Sequence, residues 1–83
     1  MHERALMRDL LARVDEAARA EGATRVTGVR VLVGPLSHLT PEHFREHFAD
    51  AARGTIAEGA RVAVASDAAG VDVVLESLEV ELP

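Results

Sequence analysis

Apolar residues recur every three to four positions in two stretches of the chain and alternate in three others. From Glu3 to Ala20, Leu6, Leu10, Val14 and Ala17 fall at helical spacing, and Leu11 and Ala18 widen the stripe. Glu3 in the first turn and Arg19 in the last complement the helix dipole, and Gly22 suits the position just past the end. From Thr24 to Val33 the period shortens: Val29, Val31 and Val33 alternate with Arg30 and Leu32. Val26 has the other parity, which places a bulge or twist near Gly28, and Gly34-Pro35 stops the strand. Thr40-Pro41 pairs an N-cap hydroxyl with a proline at N1. It opens a second helix running to about Arg53 on a stripe of Phe44, Phe48 and Ala51 or Ala52. Ala60 to Ala65 is a short strand with Val62 and Val64 on one face, and Ser66 to Asp72 is a loop. Val73 to Leu82 is the last strand. Val73 and Leu75 suit one face, whereas Leu78, Val80 and Leu82 suit the other, and a bulge near Glu76-Ser77 reconciles them.

The order α-β-α-β-β predicts an α+β fold, two helices packed on one face of a three-stranded mixed β-sheet, with the other face partly solvated. If the first two strands are parallel, the β-α-β connection is expected to be right-handed. Eighty-three residues make one domain. With Phe44 and Phe48 as the only aromatics, the core must be built mainly of Val, Leu and Ala.

Composition narrows the chemistry. With no cysteine in the chain, a disulfide framework, a thiolate zinc site and cysteine catalysis are excluded. A net charge of −5 without a basic cluster argues against nucleic acid. No secretory pattern and no apolar run of membrane length occur, so a cytoplasmic protein without a membrane partner is expected. Serines 37, 66 and 77 have no base and orienter in a recognisable motif, and the glycines form no phosphate loop, so an enzyme is not expected.

Met1-His2-Glu3 carries chemistry that needs no folded pocket. The free α-amine, the backbone nitrogen of His2 and the His2 imidazole can close two fused chelate rings on one ion. Glu3 can add a fourth donor through its amide or its carboxylate. Nitrogen donors in one plane suit Ni(II) or Cu(II) better than Zn(II). The first amides of a helix have no intrahelical acceptor, so such a chelate is compatible with a helix starting here. A second set is His43 and His47, four apart on one helical face, with His38 just ahead of that helix. Together these three could hold zinc or copper, or else His43 and His47 are boundary residues on a solvated face. Asp9, Asp15, Glu16 and Glu21 are expected to form the solvated face of the first helix.

Taken in order, several stretches resemble the HypA/HybF nickel metallochaperones of [NiFe]-hydrogenase maturation. They are Met1-His2-Glu3 before an amphipathic helix, Gly22-Ala23-Thr24-Arg25-Val26-Thr27-Gly28-Val29, a strand ending at Gly34 with Leu36-Ser37 after it, Arg53-Gly54-Thr55-Ile56-Ala57-Glu58-Gly59-Ala60, and a final strand from Val74 to Glu81. The resemblance implies Ni(II) binding through the Met1 amine, His2 and Glu3, and delivery together with a maturation GTPase to the hydrogenase large subunit. It also implies the α+β nickel-binding domain that the periodicity predicts.

Two departures stand out. The family carries a zinc module with two CxxC pairs between the last two strands, where this chain has only the short 66–72 connection and no cysteine, so no structural zinc is expected. Some members have a carboxylate near position 40 that approaches the nickel; here Thr40 stands there, with His38 and Glu42 beside it. The alternative reading is an adaptor that keeps the fold without chaperoning metal, binding a maturation GTPase or a hydrogenase subunit through the first helix and an exposed sheet edge. Such an edge also leaves homodimerisation open.

Overall fold

A computed structural model describes residues 3–34, 40–66 and 73–83. The elements follow in the expected order: α1 (Glu3–Ala20), β1 (Arg25–Val33), α2 (Pro41–Ala51), β2 (Arg61–Ser66) and β3 (Val73–Glu81). The sheet runs β2-β1-β3, so the first strand in sequence is the central one. β1 pairs with β2 in parallel and with β3 antiparallel, which makes the sheet mixed. Ser66, expected to open a loop, still pairs with Val33 and closes β2; the rest of that expected loop, 67–72, lies outside the described residues.

Both proposed irregularities are present. The β1–β3 register shifts between Val26 and Gly28, and again where Arg30 pairs with Ser77 but Val31 with Leu75. The second shift leaves Glu76 as the extra residue. It thereby turns Val73, Leu75, Leu78 and Val80 to the same side, where they join the core. Leu82 does not follow them: β3 ends at Glu81, and Leu82 is exposed. Opposite β3, Val26, Val29, Val31 and Val33 of β1 are buried. Val29 and Val31 also face Val62 and Val64 of β2, so one apolar face crosses all three strands.

The helices cover that face. α1 contributes Met7, Leu10, Val14 and Ala18 to the core, and α2 contributes Phe44 and Phe48, with Ala52 just past its end. Two details differ from the expectation, and one choice it left open is decided. Met7 is buried whereas Leu6 and Ala17 are only half-buried, so the buried stripe is rotated slightly from the expected one. Of Ala51 and Ala52, it is Ala52 that is buried. And α2 stops at Ala51 rather than near Arg53, because the chain turns at once into a tight series of bends.

Local chemistry fixes the element ends. α1 closes in a Schellman motif: Gly22 has φ 70°, Ala23 N donates to Ala18 O at 3.0 Å, and Gly22 N donates to Arg19 O at 3.0 Å. Thr40 caps α2, its hydroxyl oxygen accepting from His43 N at 3.1 Å, with Pro41 at the first helical position. After α2, Thr55 Oγ1 donates to Ala52 O at 2.6 Å and accepts from Ala57 N at 3.1 Å. That bend is docked on β1 by Val26 N donating to Ile56 O at 3.0 Å and Arg25 Nη2 donating to Glu58 O at 2.9 Å. The Gly54 to Ala60 stretch thus extends the sheet side before β2 begins.

The outer face of the sheet is polar. Arg30 of β1 pairs with Glu76, and Arg61 of β2 reaches Glu79 of β3 at 3.4 Å. Gly28 lies beneath this second pair. A Cβ there would collide with Glu79 Oε1 and stand 3.2 Å from Glu79 Cδ, so the missing side chain lets the Glu79 carboxylate lie across the central strand. The β2 edge is partly closed by α2, since Arg45 Nε donates to Val62 O at 3.1 Å.

Candidate metal-binding terminus

α1 begins at Glu3, so the Glu3 amide belongs to the first turn, where helix geometry provides no acceptor. Met1 and His2 lie outside the described residues, and Glu3 is placed only as the first helical residue. The backbone nitrogen that a terminal chelate would use from Glu3 is therefore not tied into a helical hydrogen bond.

The start of α1 borders a groove against α2. Arg4, Met7, Arg8 and Leu11 form one wall; His47, Asp50, Ala51, Arg53 and Thr55 form the other, enclosing about 800 Å³. A second hollow continues along the same seam and pairs later α1 residues, Ala12 to Arg19, with Gly54 to Ala57. Successive turns of α1 thus meet first α2 and then the bend that follows it. The start of α1 faces the second half of α2, His47 to Ala51.

Of the α2 histidines, His47 lines this groove together with Arg4 at the start of α1. His43 is exposed and His47 half-buried, and their rings stand one turn apart with centroids 6.3 Å apart at 63°. His38 lies outside the described residues, so its convergence with this pair is not described. Among the described residues no group of three or more His, Asp or Glu side chains is arranged to hold a metal ion.

Thr40 has a specific local task. Its hydroxyl accepts the His43 amide hydrogen bond, a capping role that an aspartate at the same position could fill equally well. Glu42 and Glu46 are exposed on α2, and Asp9, Glu16 and Glu21 are exposed on or just past α1, while Asp15 is half-buried and pairs with Arg19 at 2.9 Å. The expected solvated acidic face of α1 is thus present. The residues that sequence reasoning did not single out are the groove arginines, Arg4, Arg8 and Arg53. Arg53 pairs with Asp50 at 3.2 Å. Their convergence depends on how two helices meet, and no local motif announces it.

Two helices on a three-stranded mixed sheet is the α+β arrangement expected of a nickel-metallochaperone domain. Comparison with known sequences agrees. The family described as "Hydrogenase/urease nickel incorporation, metallochaperone, hypA" matches residues 1–72. The hydrogenase maturation factor HypA of Chlorobium limicola is 41% identical over 69 residues, covering 83% of this chain and 60% of that protein. That of Methylocella silvestris is 42% identical over 62 residues, covering 75% of this chain and 55% of that protein. The chain therefore belongs to the HypA family. It spans between 55% and 60% of the length of these two relatives. The solution structure of the Ni metallochaperone HypA from Helicobacter pylori superposes with a TM-score of 0.85 at 17% identity over 100% of both chains, so the fold is shared. The sequence match ends at residue 72, and the likeness of β3 rests on this structural superposition.

Proposed function

We propose that this protein binds Ni(II) at its N-terminus and delivers it during [NiFe]-hydrogenase maturation. The observation that carries the reading is that the family match starts at residue 1 and so includes Met1-His2-Glu3. Nickel is cargo here. The Met1 amine, the His2 amide nitrogen and the His2 imidazole supply donors, and Glu3 completes the set. An ion held at a chain terminus is open to a partner's ligands, so transfer proceeds by exchange of donors one at a time. Acid favours release, because the amine and the imidazole must each lose a proton to bind. The partners are a maturation GTPase and the hydrogenase large subunit, met in the cytoplasm; the protein itself performs no catalysis. The 67–72 connection takes the place of the family's zinc module, consistent with a chain that has no cysteine.

The test is calorimetric titration with Ni(II) of three forms: the chain beginning at Met1, His2→Ala, and a form with residues added before Met1. Tight binding by the first alone supports the reading; equal affinity in all three sinks it. The adaptor reading draws on the same lack of cysteine. Capture of a maturation GTPase or hydrogenase subunit that survives both His2→Ala and a chelator would favour it.

A further inference from the structure

We propose that His43 and His47 of α2 form a second binding site for Ni(II) and similar borderline divalent ions, independent of the terminal chelate. Residues four apart on a helix share a face, and imidazole nitrogens are good donors for nickel, copper and zinc. Here the two rings are already neighbours, with centroids 6.3 Å apart. The exposed His43 and half-buried His47 leave an ion room to approach.

The helix beneath them is firmly held. Phe44 and Phe48, each the residue following one of the histidines, are 0% and 1% exposed. The Thr40 hydroxyl fixes the backbone at His43 itself. The two Cβ positions are therefore set by the core.

The charges carried by α2 itself favour a cation. α2 carries the carboxylates Glu42, Glu46 and Asp50 against the single cation Arg45. Arg45 is drawn aside to the carbonyl of Val62, and Asp50 is in contact with Arg53. Arg4, Arg8 and Arg53 line the same groove as His47 and oppose the ion, which keeps the site weak.

The run His43-Phe44-Arg45-Glu46-His47 has the outline of a zinc-hydrolase motif, in which a third ligand and a buried carboxylate complete the centre. Among the described residues no third ligand converges, and Glu46 is exposed. The arrangement thus fits two-imidazole binding, with water or a partner's side chain filling the remaining positions.

The experiment uses the full chain beginning at Met1 in a His2→Ala background, titrated with nickel chloride. It is followed by calorimetry and by imidazole nitrogen NMR. A binding event weaker than that of the unmodified chain is expected, with the His43 and His47 ring signals moving or broadening together. Adding His43→Ala, at an exposed position, should weaken that event at least tenfold while the circular dichroism stays unchanged. His43→Ala alone should leave the tight terminal event intact. Loss of all nickel binding in His2→Ala, or binding there that His43→Ala does not alter, overturns the proposal. Failure of the terminal chelate has a different signature, His2→Ala binding nickel just as the unmodified chain does.

Discussion

The terminal tripeptide and the α2 histidine pair would handle the same ion by opposite means. Met1, His2 and Glu3 offer donors that are consecutive in the chain, two of them backbone or terminal nitrogens. His43 and His47 become neighbours only when α2 is helical, and α2 is helical here because Phe44 and Phe48 seat it on the sheet. The first kind of site depends on covalent connectivity, the second on folding free energy. On the two proposals together, a chelate at the terminus would persist whatever the fold does, beside a weaker site that reports on the fold.

The comparison breaks most sharply in the core. Phe44→Ala removes a fully buried ring and should cost about 3–5 kcal/mol, read from urea unfolding followed by circular dichroism. Under conditions where that variant is unfolded, the terminal chelate should persist and the His43/His47 event should vanish. Persistence of both would mean the pair needs no helix.

Next in size is the terminus itself. One residue added before Met1 moves the amine out of chelate range and should weaken tight nickel binding by roughly a hundredfold, about 2.7 kcal/mol. The unfolding midpoint measured without metal should not move.

Thr40→Ala should destabilise the protein by about 1 kcal/mol through loss of the cap, with a matching drop in the urea midpoint. Because it loosens the helix start at His43, it should also weaken the second nickel event while sparing the terminal one. Thr40→Asp should keep the cap.

The smallest effect is expected on the outer sheet face. A double-mutant cycle on Arg30 and Glu76, both partly exposed, should return a coupling of about 0.2–1 kcal/mol that fades as salt is added. Neither nickel event should change, since these residues lie on the sheet face away from both helices.

Much of the fold is legible in the sequence because its determinants are local. The Thr40-Pro41 pair announces a cap that is present, and Gly22 a helix end that it closes with φ 70°. The conflict of parity between Leu75 and Leu78 can be resolved on a strand only by an extra residue, and Glu76 is that residue.

The helical stripe of α1 is less legible. Leu6 and Met7 are both apolar, and which of them is buried depends on the angle at which the helix meets the sheet, so Met7 is buried and Leu6 half-buried. The end of α2 is obscured for a similar reason. Asp50, Ala51, Ala52 and Arg53 are all tolerable in a helix, and the chain leaves it early because the following bend is bonded to β1 through Ile56 and Glu58.

At the candidate site the donors of the terminus and the spacing of His43 and His47 are readable, because both are short-range properties of the chain. The groove beside them is not. Arg4 and Arg8 of α1 line it together with Arg53, just past α2, only because the two helices pack against one another.

The sequence by itself determined the five elements, their caps and bulges, the apolar side of each strand, the chemistry available at Met1-His2-Glu3 and the lack of thiol ligands. Each of these follows from residues within a few positions of one another, where backbone geometry and side-chain type leave few choices. Only the tertiary structure decided that β1 is central, that Glu79 crosses Gly28 to reach Arg61, that Arg45 partly closes the β2 edge, and that His47 faces the start of α1. Those facts depend on contacts between residues far apart in the chain. Such contacts are selected by how well whole faces pack together, and no local pattern specifies them.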